Sequence, residues 1–283
     1  MNVVTHTIPV KVGKKITLIP IEPHIQWTDR NNSFNVKKWN KMIKRVLGDK
    51  HTFLFFAGDI TDDDRPSTRA RKAAIFSGED RSQSLSASNM ADRLAISKFI
   101  LPLLMPVKER ILGAIDGDHF QLYRDGTTST QYIFKELGIP NVYIGRRMGW
   151  IRLLFLDSKK TLEYRILMRH GRGGTGKIGS DINKLITSNM QFEADLFIGG
   201  HTHKKWCYSE PTMYLSGNKI KTKTRMYCRA GSLFNSYGDG LYTYAEDAEY
   251  PPLSTGFPRI EITLGRPRVN QGNLIITEYE GVI

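Results

Sequence analysis

The chain has 283 residues, 40% hydrophobic and 24% charged, with a formal net charge of +13. That balance reads as a soluble globular protein long enough to bury a core. No run approaches the roughly 18 apolar residues of a membrane span, and two cysteines are too few for a disulfide framework.

In chain order, 15–21 (KITLIPI) reads as a strand. Residues 36–48 read as a helix, with Trp39, Met42, Ile43, Val46 and Leu47 on one face and Lys37, Lys38, Lys41, Lys44 and Arg45 opposite. The apolar run 53–57 has the texture of a central parallel strand, and the strand–helix–strand order suggests a right-handed crossover. A polar insert, about 62–90, carries Asp63, Asp64, Arg65, Arg69, Arg71 and Lys72. Loops this long are commonly functional, and a basic one could track a phosphate backbone. A helix over 90–107 follows, then strands near 111–116, 142–145, 150–157 and 164–169, a helix over 179–189 and a strand over 195–199. The last third is β-rich, with segments at 205–215, 220–229, 258–264 and 273–279. Gly217-Asn218 reads as a two-residue hairpin turn that sets Cys207 opposite Cys228, both expected as free thiols. The whole reads as one α/β domain, 1–283, built as a two-sheet β-sandwich flanked by helices.

Five predicted strands deliver metal-ligand residue types at or just past their C-terminal ends. They supply Glu22 and His24, Asp59, Asp118 and His119, His170, and His201 and His203. Open α/β sheets build their sites at that edge, and imidazole with carboxylate suits divalent transition metals.

The ordered set Glu22-Pro23-His24, Gly58-Asp59-Ile60-Thr61-Asp62, Gly117-Asp118-His119, His170-Gly171 and Gly200-His201-Thr202-His203 resembles the calcineurin-like metallophosphoesterase superfamily, whose members include DNA-repair exonucleases. Ala230-Gly231-Ser232 resembles that family's Pro-Gly-Ser turn, so the likeness spans about 15–233. The resemblance implies that Asp59 bridges two metals. It gives Glu22, His24 and His203 to the first, and Asp118, His170 and His201 to the second. It makes His119 a general acid or phosphate contact, and Asp62 a support. The implied reaction is attack of a metal-bound hydroxide on a phosphate ester, the two cations neutralising charge and clamping the attacking and leaving oxygens. Manganese is the expected metal, with Fe, Zn or Ni as alternatives.

Two positions depart from that pattern. Glu22 stands where Asp is usual, so an extra methylene moves its carboxylate. Asp118 stands where Asn is usual, so three carboxylates face two dications. The charge count predicts tighter metal binding and a less acidic bound water. Next to His170, Gly171-Arg172-Gly173-Gly174-Thr175-Gly176-Lys177 falls one residue short of a P-loop, because Ile178 replaces the Ser or Thr that would hold Mg²⁺. It reads either as a Gly-rich loop placing Arg172 or Lys177 near substrate phosphate, or as a plain solvent loop.

The net positive charge bears on partners rather than fold. An anionic substrate suits it, and nucleic acid suits it best. The expectation is a phosphodiesterase acting on nucleic acid. A phosphomonoesterase or small- or cyclic-nucleotide phosphodiesterase is the alternative, and a non-catalytic scaffold of the same fold is a third reading. No apolar signal segment opens MNVVTHTIPVKVGKK, so a cytoplasmic protein without membrane contact is expected.

Overall fold

The computed structural model describes residues 2–11, 13–26, 33–62, 90–157, 160–173, 177–237, 249, 251–263 and 273–275. Two six-stranded mixed sheets carry the fold. In the first, β1 (Val3–Pro9), β6 (Met148–Asp157), β7 (Lys160–Arg169), β8 (Leu196–Gly199), β10 (Lys219–Ala230) and β9 (Lys205–Ser216) lie side by side in that order. The second runs β12 (Asn273–Ile275), β11 (Ile260–Thr263), β2 (Lys15–Ile21), β3 (Thr52–Phe56), β4 (Ile111–Ile115) and β5 (Tyr143–Gly145). The strands β2 to β5 are mutually parallel, as are β7, β8 and β10.

The period of two along each strand divides the side chains between layers. Phe53, Phe55 and Ala57 of the β3 run meet Ile166, Met168, Leu196, Ile198, Met226 and Cys228 in one cluster between the sheets. Leu54 and Phe56 point the other way, into a second cluster with Trp39, Met42 and Val46 of α1 (Val36–Gly48). On the far side of the first sheet, Leu167, Phe197 and Tyr227 pack with Leu185 of the helix Ile178–Thr187. The architecture is therefore α/β, with helices outside both sheets. Among the described residues no helix is long and apolar enough to cross a membrane.

Several expectations need adjusting. Leu47, expected on the packed face of α1, is exposed; Trp39, Met42 and Val46 suffice to cover the sheet. The helix expected over 90–107 changes pitch. A π-turn (Ile96–Ile100) leads into α2 (Leu101–Leu104) and a 3-10 turn (Met105–Arg110). Pro102 and Pro106 lie at those junctions and lack the N–H that a continuous helix needs. Two elements were not anticipated: the edge strand β1 and α3 (Ser129–Glu136). The helix Ile178–Thr187 is accordingly α4. The hairpin register does set Cys207 opposite Cys228, both thiols free and their sulfurs 2.8 Å apart. The insert residues 63–89, and 276–279 of the last expected strand, lie outside the described residues.

Candidate metal centre

Loops at the C-terminal ends of β2, β3, β4, β7 and β8 converge, and they bring the expected residues together. Glu22, His24 and His203 form one group in which a ligand atom from each lies within 4.8 Å of the others. Asp118, His170 and His201 form a second. Asp59 joins them, grouping with Glu22 of the first and His170 of the second, and also with His24 and His119. Four of these residues, His24, Asp59, His201 and His203, have φ between 44° and 77°. That left-handed backbone is costly for residues with a Cβ and persists where surrounding structure enforces it, commonly at functional sites.

Hydrogen bonds between the loops enforce it. His24 N–H donates to the Asp59 carbonyl at 2.9 Å and Ile25 N–H to that of Ile60 at 2.9 Å, so the loops after β2 and β3 remain paired. Asp59 Oδ1 accepts the N–H groups of Asp118 (2.6 Å) and His119 (2.9 Å). Its Oδ2 then faces His170 Nε2 at 3.2 Å and His24 Nε2 at 3.8 Å. Glu22 Oε1 accepts the His201 N–H at 2.7 Å and lies 2.9 Å from His170 Nδ1. The longer side chain of Glu22 thus reaches across to the other sheet's loops. The expected turn Ala230-Gly231-Ser232 closes on the same residue, Glu22 N–H donating to the Gly231 carbonyl at 3.2 Å.

Glu22 Oε2, His24 Nε2 and His170 Nε2 are buried without a hydrogen-bond partner. Buried polar atoms left unpaired cost about 1–3 kcal/mol each, so three within one cluster call for a partner. A divalent cation supplies it, since an unprotonated ring nitrogen and a carboxylate oxygen are the donor types such ions take. His170 Nδ1, 3.0 Å from the Ala57 carbonyl, is suited to keep its proton there and leave Nε2 for a metal. Gly58, Gly117 and Gly200 make room for the cluster: a Cβ would collide with His170, Asp59 and Glu22 respectively.

The electrostatics are set by burial and mutual pairing. Burial pushes Asp59 up, but His170, His119 and His24 outweigh it and hold the carboxylate well below its ordinary range. Asp118 and Asp62 are lowered likewise, against burial, by the histidines they touch and, for Asp118, by Arg147. Burial lowers His170, yet Asp59 and Glu22 raise it well above its ordinary value. Burial and the His24 ring together keep His203 neutral.

His119 lies beside the cluster, its side chain 30% exposed and its Nδ1 2.9 Å from Asp62 Oδ1. Asp62 Oδ2 is 3.4 Å from His24 Nδ1. Arg172 and Lys177 are exposed, the first two residues beyond His170 and the second capping α4.

Two participants escaped the sequence reading. Arg147 pairs with Asp118 and reaches the Gly171 carbonyl at 3.4 Å. Its charge offsets the third carboxylate, which the count from sequence left unbalanced. Arg229 is buried behind the His201 loop, donating to the Gly200 carbonyl at 2.6 Å and to Asp181 at 2.8 Å. No motif marks either residue, because their partners come from other strands and helices.

No family model matches the chain, and no curated protein matches it. Among solved structures it is similar to a conserved uncharacterized protein from Streptococcus pneumoniae TIGR4, described as a predicted phosphoesterase, with 16% identity, a TM-score of 0.31, and 88% of this chain and 84% of that one covered. A likeness that loose assigns no activity, and the chemistry rests on the cluster itself.

Proposed function

We propose that this chain is a phosphoesterase working with two divalent metal ions, that it cleaves phosphodiester bonds, and that its substrate is nucleic acid. The observation that carries this reading is the pair of groups Glu22/His24/His203 and Asp118/His170/His201, joined by Asp59. Each group would hold one ion, with Asp59 within reach of both. Mn²⁺ is the first metal to test, before Fe, Zn or Ni. Two such ions, when bound, neutralise phosphate charge and acidify a water at neutral pH.

The chain's own residues supply the rest. Asp62 holds His119 Nδ1, which leaves Nε2 to give a proton to a leaving oxygen. In the metal-free chain burial would lower the His119 pKa, but Asp59, Asp62 and Asp118 raise it to about 9. Arg172 and Lys177 are exposed on the segment that leaves His170, where they suit the flanking phosphates of a polyanion. The net charge of +13 favours such a substrate over a small neutral one.

The test compares bis(p-nitrophenyl) phosphate with p-nitrophenyl phosphate, with added Mn²⁺ and with chelator. Metal-dependent cleavage favouring the diester is expected, followed by cleavage of labelled DNA or RNA. Preference for the monoester would turn the reading to phosphomonoesters. Absence of cleavage with every substrate, metal bound, would leave a scaffold.

A further inference from the structure

Asp118 divides its two carboxylate oxygens between different tasks. Oδ2 faces the candidate metal position, 3.3 Å from His170 Nε2 and 3.0 Å from His201 Nδ1. Oδ1 takes the Arg147 guanidinium. Arg147 lies in the turn between β5 and β6. Its Nη1 reaches the Gly171 carbonyl at 3.4 Å, and its own carbonyl accepts the His170 N–H at 3.0 Å. One residue therefore reaches Asp118 and the Gly171 carbonyl through its guanidinium, and the His170 N–H through its own carbonyl. Both members of the pair are 37% exposed, which puts them on the open side of a cluster whose other carboxylates, Glu22 and Asp59, are buried.

Guanidinium stays charged at any pH at which the protein folds. The pair is thus electrically equivalent to an uncharged side chain that still offers an oxygen lone pair. Glu22, Asp59 and Asp118 bring three negative charges, and Arg147 leaves two of them uncompensated. An aspartate alone at 118 would strengthen the hold on a cation and weaken the cation's effect on other groups, so the guanidinium matters to both.

We infer that Asp118 and Arg147 act as one neutral unit, in which Arg147 is a positioning residue that sets metal affinity through Asp118. The inference rests on the two-metal reading above.

The experiment is calorimetric titration of Mn²⁺ into the full chain and four variants: Arg147→Met, Arg147→Lys, Asp118→Asn and the double variant Asp118→Asn/Arg147→Met. Removing a unit charge a few ångströms from a cation in a half-exposed site changes affinity by roughly tenfold. Arg147→Met is expected to bind Mn²⁺ about tenfold more tightly and Asp118→Asn about tenfold more weakly. Arg147→Lys keeps the charge and stays close to the parent chain. The double variant restores the charge balance and returns to within about threefold of the parent. A pair that served only as scaffold would weaken binding in both single variants, and that result overturns the inference. So does a double variant as far from the parent as either single one. If the parent chain binds no Mn²⁺, the two-metal reading falls and takes the inference with it. If the parent binds and the single variants do not diverge, only the inference falls.

Discussion

Gly117 lies so close to Asp59 that a side chain at position 117 would occupy the space of the Asp59 carboxylate. The carboxylate fills that slot because its Oδ1 takes the N–H groups of the next two residues, Asp118 and His119. This is what turns Oδ2 towards His170 and His24. A Gly117→Ala variant must displace either the carboxylate or the β4 loop. Overpacking of this kind costs about 1–3 kcal/mol, and moving a reacting group by an ångström costs on the order of a hundredfold in rate. Both losses are expected, read by urea denaturation and by Mn²⁺-dependent diester hydrolysis. A variant with the parent rate would mean that Asp59 does not need this geometry.

Asp62 serves two rings at once, with Oδ1 at 2.9 Å from His119 Nδ1 and Oδ2 at 3.4 Å from His24 Nδ1. A carboxylate faces both rings with an acceptor oxygen, which keeps each Nε2 turned to the site. The amide of Asp62→Asn has one acceptor and one donor, so one ring must turn or change tautomer. Loss of such an outer partner costs about 10–100-fold in metal affinity or activity. Mn²⁺ titration and the hydrolysis rate would show which ring suffers: a fall in affinity points to His24, a fall in rate at saturating metal to His119. Unchanged values in both would remove Asp62 from the machinery.

The residues gathered at the strand ends are legible in the sequence, because parallel strands buried on both faces appear as apolar runs whose next residues land at one edge. Phe53–Phe56 and Leu196–Gly199 are of this kind. β1 is not legible: Thr5 and Thr7 lie in its exposed row, and His6 interrupts the inward row of Val4 and Ile8. α3 does carry a signal, since Thr128 and Gln131 form a capping box. Arg147, Asp181 and Arg229 carry none. Asp118 and Arg147 are 29 residues apart and meet beyond the neighbouring strands β4 and β5, while Asp181 and Arg229 are 48 apart and meet where α4 packs on β10.

Arg229 and Asp181 are both buried, and Trp206 Nε1 adds a third contact, 2.9 Å from Asp181 Oδ2. Breaking such a pair on one side leaves an uncompensated buried charge and costs about 3–5 kcal/mol. Arg229→Met should show that loss by urea denaturation, together with slower hydrolysis because the Gly200 carbonyl before His201 loses its donor. Adding Asp181→Leu removes the stranded charge and should recover part of the stability without restoring the rate. Equal stability of Arg229→Met and the parent chain would contradict a buried ion pair at this position.

Asp116 offers a pH-dependent contrast. Its carboxylate is buried and accepts from Thr128 and Tyr143, each at 2.9 Å. Burial dominates those hydrogen bonds and raises its pKa from 3.8 to about 6. The folded chain therefore holds this proton more tightly than the unfolded chain does. The stability so gained is fully present below about pH 4 and is lost as pH rises through about 6. Asp116→Asn keeps the shape and removes the titration. Between pH 8 and pH 4, with chelator throughout, the difference in unfolding free energy should shift towards the parent chain by about 2–3 kcal/mol, on the scale of 1.36 kcal/mol per pKa unit. Other titrating groups cancel in that difference. A difference that stays flat across the range would mean that Asp116 titrates as an exposed carboxylate does.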